Sequence, residues 1–245
     1  MKKTFDLSAA ALHILAMTFM LMDHLWATLL SSQMWLTHVG RLAFPIFAFL
    51  AVEGYFHTRS FKRYALRMLL FAVLSEVPFD LMYGGTVFYP VHQNVIWTLL
   101  LGLLGIRLVE AARAKGKPWL YVLTCTAVVV LGFALGTLGM VDYYGAGVLT
   151  VFAFYFFRER KWWCLFGQLA ALYWLNVVVL GGQMYPVTLF GREIELCEQG
   201  LALLALVPIW LYRGRQGHHS KAFQYACYAF YPAHMLVLAL LTMIQ

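Results

Sequence analysis

The chain has 245 residues, 62% of them hydrophobic and only 12% charged, with a mean hydropathy of +0.73 and a formal net charge of +7. A water-soluble domain carries roughly twice that charged fraction, so the composition excludes an ordinary soluble enzyme. The positive balance needs no nucleic acid to explain it, because basic residues in membrane chains gather on one side of the bilayer.

Apolar runs recur along the whole chain, at about 8–30, 41–57, 64–83, 95–112, 119–136, 143–157, 162–181, 200–212 and 224–244. Most approach the length of about 20 residues that crosses a hydrocarbon core of about 30 Å. In lipid the backbone satisfies its polar groups internally, so each run is expected to be a helix. The expected fold is all-α: one polytopic bundle over residues 1–245, with about nine transmembrane helices. The first run is too long for a signal-peptide core and is read as retained.

Orientation follows from the basic residues. With the N-terminus cytoplasmic, every Lys and Arg except Arg41 and Arg192 falls on the cytoplasmic side. The odd number of runs then places the C-terminus outside. The longest outer connection, "GQMYPVTLFGREIELCEQ" at 182–199, reads either as a lid or as a plain link. Cys125, Cys164, Cys197 and Cys227 are far apart and form no CxxC pair, so neither a disulfide framework nor a zinc site is indicated, and no metal is expected.

Taken in chain order, polar residues interrupt these runs at a common depth. Asp23 and His24 lie in the outer half of the first run and Arg41 opens the second, which carries Glu53 toward its other end. The third ends "LSEVPFDLMY", with Glu76 and Asp80 four apart on one helix face and Pro78 between them. The fourth begins "VHQNVIWTLL", bringing His92, Gln93 and Asn94; the sixth begins "VDYYGAG", bringing Asp142 and Tyr143. Asn176 lies near the outer end of the seventh, and His234 follows Tyr231 and Pro232 in the ninth.

A charge at mid-bilayer costs about 2.5–3.5 kcal/mol on insertion scales and usually faces a bundle interior or a wet cavity. Convergence of these groups would build a polar pocket near the outer leaflet. Each also has a plainer reading: Asp80, His92 and Asp142 as interfacial helix-end residues, Arg41 as a snorkelling anchor, His234 as a core histidine bonded to a carbonyl, Asp23 and Glu76 as members of structural ion pairs. Neighbouring residues point about 100° apart around a helix. His24 is therefore expected to find its orienting acceptor on another helix, Glu76 or Asp80 first and Asp142 next.

The segments "MLMDHLWA", "VGRLAFPIFAFLAVEGYFHTR", "LSEVPFDL", "HQNVIWTLLLG" and "FYPAHMLV", in that order, resemble the TraX family. Its best-known members acetylate the N-terminal amine of pilin at the inner membrane during conjugation. The resemblance further implies kinship with multi-spanning membrane acyltransferases. These use cytosolic acetyl-CoA, modify an acceptor across the membrane and depend on a histidine.

The expected function is thus an acetyltransferase of the cytoplasmic membrane acting on an extracytoplasmic peptide or glycan. His24 is the expected general base, Asp23 its neighbour in the site, and Glu76 or Asp80 the group that orients it. Arg41 and Asn94 would steady the developing oxyanion. Arg67 and Arg107 would meet the CoA nucleotide, and Glu53, His92, Gln93, Asp142, Tyr143, Asn176 and His234 would line the substrate path. Buried carboxylates and histidines on several helices also suit a proton-coupled transporter or export channel, although the paired repeats common in transporters are missing. A non-catalytic scaffold would leave Asp23, His24 and Glu76 unexplained.

Overall fold

A computed structural model describes residues 6–189, 191–218 and 220–244. Lys2 and Lys3, and His219 in the basic stretch 213–221, lie outside the described residues.

The helices run α1 Ala9–Thr28, α2 Met34–Gly40, α3 Ala43–His57, α4 Phe61–Gly84, α5 Val95–Ala114, α6 Pro118–Leu138, α7 Tyr144–Phe156 and α8 Trp162–Tyr173, which continues as a π-helical segment, Trp174–Leu180. An antiparallel hairpin follows, β1 Met184–Leu189 and β2 Arg192–Cys197. A 3₁₀ segment, Glu198–Ala205, leads into α9 Leu206–Leu211, and α10 Lys221–Thr242 ends the chain. Side chains start several of these helices: Ser8, Ser60, Asn94 and Ser220 accept from the backbone N–H of Ala11, Arg63, Ile96 and Phe223. Such caps contribute about 0.5–2 kcal/mol each.

Among the described residues, six helical stretches are long and apolar enough to cross a membrane: Ala9–Thr28, Met34–His57, Val95–Ala114, Pro118–Leu138, Trp162–Leu180 and Lys221–Thr242. The molecule is therefore a multi-pass helical bundle, but nine full crossings are more than its helices establish. The run at 143–157 becomes α7, whose 13 residues reach about 20 Å at 1.5 Å per residue. The run at 200–212 is a short 3₁₀ and α-helical rod. The run at 64–83 is a long helix, α4, that carries Lys62, Arg63, Arg67, Glu76 and Asp80. The second crossing starts at Met34 rather than at residue 41, because α2 passes into α3 through Arg41 and Leu42. The polar Thr37, His38 and Arg41 hide that continuity in the sequence. The segment 182–199, read as lid or link, holds the hairpin.

α3 is the axis of the core. In the apolar 18-residue window of Met34–His57, 67% of the residues are buried, against 11% in that of α6, whose sides present Val122, Leu123, Val130 and Leu131 outward. Around α3, Leu12, Ile46, Leu103, Val148 and Phe154 pack in one cluster. α6 and α7 meet through glycine: a Cβ at Gly145 would lie 2.3 Å from the carbonyl oxygen of Phe133. Small residues at such crossings let backbones approach where lipid supplies no hydrophobic drive. α10 packs against both α1 and α4, and this places the middle of the last helix beside the end of the first.

Candidate functional site

Asp23 and His24 leave α1 in different directions. Asp23 faces α2, where Thr37 Oγ1 donates to Asp23 Oδ1 at 2.8 Å and lies 3.2 Å from Glu198 Oε1. The hydroxyl has one hydrogen, so the nearer carboxylate, Asp23, holds it. Gly40 makes this approach possible, since a Cβ there would stand 2.5 Å from the Cβ of Asp23. Gly40→Ala is therefore expected to force α1 and α2 apart, at the cost of about 1–3 kcal/mol typical of overpacking. Thermal unfolding in detergent reads this directly, and an unchanged melting temperature would refute the close approach.

His24 faces α10. Its Nδ1 is 2.7 Å from Nε2 of His234, whose Nδ1 is 2.7 Å from the carbonyl oxygen of Phe230. Both imidazoles are buried, at 7% and 8% exposure. Tyr83 meets the His24 ring edge-on and Tyr231 lies tilted against it.

Arg41, between α2 and α3, donates from Nε and Nη2 to a single oxygen of Glu198, at 3.2 and 3.1 Å. Glu198 is buried at the start of the 3₁₀ segment. Next to it, Gln199 donates to Asn176 Oδ1 at 3.1 Å, while Asn176 donates to the carbonyl of Leu172. Asn176 thereby holds the strand-to-helix junction in place.

The turn between α6 and α7 forms the opposite wall. Met140, Tyr143 and Tyr144 all have positive φ, at 49°, 59° and 49°, a conformation costing of order 1–3 kcal/mol for residues other than glycine. Tertiary bonds hold it. Gln93 N–H donates to the Met140 carbonyl at 2.8 Å, Asp142 N–H to the Gln93 carbonyl at 2.9 Å, and Thr98 Oγ1 to the Asp142 carbonyl at 2.6 Å. Tyr143 stacks on Phe44 with ring centroids 4.2 Å apart.

His92, in the connection between α4 and α5, lies 3.3 Å from Asp142 Oδ1. Burial lowers its pKa, but the hydrogen bond and charge of Asp142, with Glu76 and Asp80 farther off, outweigh that and raise it overall.

These groups surround a cavity of about 400 Å³ lined by Asp23, His24, Arg41, His92, Asp142 and Tyr143, together with Trp26, Tyr83, Gln199 and Tyr231. That is the size of a small-ligand pocket. The indole N–H of Trp26, on this wall, is buried and has no partner among the described residues.

Other residues singled out in the sequence lie elsewhere. Glu76 accepts from the side chain of Asn94, which also donates to the Ala72 carbonyl and caps α5. Asp80 accepts from Tyr89 N–H at 3.0 Å. These two carboxylates pin α4 to the following connection, and neither reaches His24. The expectation that Glu76, Asp80 or Asp142 orients His24 is corrected: the partner is His234. The Asn94 amide donates to the Ala72 carbonyl and to Glu76 and does not line the cavity, so its expected part as an oxyanion donor is corrected, and the side chain of Gln93 turns back to the Pro90 carbonyl.

Glu53 pairs with Arg158 at 2.7 Å at the other end of α3. There a second cavity of about 290 Å³ is lined by Glu53, Arg158, Arg160, Trp210, Tyr212 and Arg213. Arg67 sits over the Tyr64 ring and Arg107 is exposed; neither lines either cavity. Trp26, Thr37, Tyr83, Glu198 and Gln199 belong to the site although no pattern in the sequence singles them out as a group. Only Glu198 carried a usable signal, an acid at the head of an apolar run.

One relative is the probable fimbrial assembly protein FimC, serogroup H1, of Dichelobacter nodosus, 28% identical over 252 residues and aligned across 97% of both chains. No solved structure matches. The family model described as TraX protein matches residues 8–242, nearly the whole bundle and every residue of the cavity wall, and the chain belongs to the TraX family.

Proposed function

We propose that the protein is an integral membrane acetyltransferase that takes its acetyl group from acetyl-CoA and passes it to an amine or hydroxyl of an extracytoplasmic peptide or glycan. The observation that carries this reading is the cavity in which a buried imidazole, a guanidinium and an unpartnered indole N–H converge. Acyl transfer needs a base for the attacking group and donors for the oxyanion. His24 supplies the base. Arg41 spends two of its five N–H donors on Glu198 and faces the cavity, and Trp26 adds a further donor.

The second cavity supports the same reading. It sits at the other end of α3 with Arg158, Arg160 and Arg213 on its wall beside Glu53 and Glu159; Arg158 is paired with Glu53, so Arg160 and Arg213 are the cations a phosphorylated donor would meet. We place this end in the cytoplasm and the His24 end outside the cytoplasmic membrane. The N-terminus is then cytoplasmic, the C-terminus external, and α4, α7 and the Glu198–Leu211 rod complete nine passes. The fimbrial assembly role of the Dichelobacter relative favours a subunit of a surface fibre as acceptor. Reporter fusions after Ile244 are expected to read as external, and a cytoplasmic reading would invert the assignment.

The direct test uses purified protein in detergent with isotopically labelled acetyl-CoA. Slow release of free CoA and a raised melting temperature are expected, since a ligand at 100 times its Kd adds about 2.7 kcal/mol. Arg213→Ala should shrink that shift more than Arg67→Ala or Arg107→Ala. A protein that neither binds nor turns over acetyl-CoA, yet drives proton-coupled solute movement in vesicles, would replace this reading with the transporter.

A further inference from the structure

The structure assigns His234 as the positioning residue that fixes the tautomer of His24 and so decides which of its nitrogens is basic. The role in catalysis rests on the acyl-transfer reading above; the tautomer itself does not.

Phe230 and His234 are four apart on α10, one helical turn, and the imidazole turns back to the carbonyl of that turn at 2.7 Å. A carbonyl only accepts, so the hydrogen is on His234 Nδ1. With the ring neutral, His234 Nε2 then holds a lone pair. His24 Nδ1 lies 2.7 Å from that lone pair and must bring the hydrogen.

The ring geometry agrees. The two imidazole planes differ by 8° and their centroids are 4.9 Å apart. That separation exceeds the nitrogen contact by about one ring diameter, so the rings meet edge to edge in nearly one plane, as an in-line hydrogen bond requires. The lone pair of His24 is thereby left on Nε2. That atom has no hydrogen-bond partner among the described residues, on a ring that lines the larger cavity.

The packing holds this arrangement. The Phe230 ring stacks on His234 at 4.8 Å with the planes 15° apart, and Tyr231 and Tyr83 wall His24. A histidine in water prefers its hydrogen on Nε2, the opposite of what the contacts impose on both rings here. A carboxylate plays the orienting part in a hydrolase triad. In this protein a neutral imidazole backed by a main-chain carbonyl does so, which avoids a second buried charge.

The acceptor X–H gives its proton to His24 Nε2 as X bonds to the thioester carbonyl carbon. The tetrahedral intermediate collapses, the C–S bond breaks with its electron pair on sulfur, and the departing thiolate takes the proton from Nε2. Throughout, His24 Nδ1–H stays donated to His234.

The test is nitrogen-15 NMR of the full chain labelled at histidine, in detergent, with the two signals assigned by their loss in His24→Ala and His234→Ala. Wild type is expected to show the hydrogen on Nδ1 of both. In His234→Phe, His24 should revert to the Nε2–H form, and kcat should fall by about 10²–10⁴ while KM for acetyl-CoA changes less than kcat. His234→Gln keeps an oxygen that accepts from Nδ1–H, so it should restore the tautomer and recover much of kcat. A wild-type His24 protonated on Nε2 would overturn the assignment, even if both variants failed to fold. So would a tautomer unmoved by His234→Phe, or equal rates in the Phe and Gln variants. The assigned tautomer in a protein that never turns over acetyl-CoA would leave the hydrogen-bond chain standing and overturn the acyl-transfer reading instead.

Discussion

His24→Ala is expected to reduce acyl transfer by about 10²–10⁴, the usual worth of a positioned base, while the thermal shift induced by acetyl-CoA persists. The substitution strands His234 Nε2 in a buried position, and an unsatisfied buried acceptor costs about 1–3 kcal/mol. The melting temperature of the unliganded protein should therefore drop, but the fold should survive. His24→Gln should be as inactive, because an amide does not take up the proton. Glu76→Gln is the informative contrast. Glu76 bonds Asn94, and not the imidazole, so its loss should weaken the α4–α5 junction and leave kcat nearly unchanged. A folded His24→Ala protein with wild-type specific activity would remove His24 from the mechanism. A Glu76→Gln protein that is stable but inactive would restore a carboxylate to the relay.

The Arg41–Glu198 pair should show the largest effect on stability. Glu198 is 6% exposed and accepts both of the guanidinium bonds, so Glu198→Met leaves the half-buried Arg41 cation, its side chain 21% accessible, without its carboxylate partner. Breaking a fully buried pair from one side costs about 3–5 kcal/mol, whereas replacing both partners with apolar groups is often neutral; the accessible side of Arg41 puts this pair below that range, since solvent screens the cation. Arg41→Met combined with Glu198→Met should accordingly recover much of the stability lost in either single variant. It should not recover activity if Arg41 stabilises the oxyanion. Unfolding of the four proteins in detergent gives the coupling directly. Additivity within about 0.5 kcal/mol, as for independent sites, would show that the two charges do not depend on each other.

Much of this was legible in the sequence, because position along a transmembrane helix is a one-dimensional property. Composition and run length marked a helical membrane bundle, and alternation of helix direction brought the end of α1, the start of α3 and the α6–α7 turn to one end. Asp23, His24, Arg41, His92, Asp142 and Tyr143 share a cavity for that reason. The hairpin at 184–197 was harder to read: its strands carry Tyr, Val, Thr and Ile, but the connection was open between lid and link.

What only the tertiary structure decided is which residue each polar group faces. Depth does not fix the angle around a helix or the neighbour at that angle. His24 and His234 are 210 positions apart, and they meet because α10 packs on α1 and α4. Glu76 looked equally available to His24 by depth, yet it turns to Asn94, which stands on the adjoining helix and offers both a main-chain and a side-chain N–H. By sequence Glu198 falls in the outer connection, and nothing there shows that the chain returns through the hairpin to place an acid against Arg41. Buried polar groups take partners by packing geometry, since an unpaired one is so costly in a low-dielectric interior, and that geometry exists only once the helices have assembled.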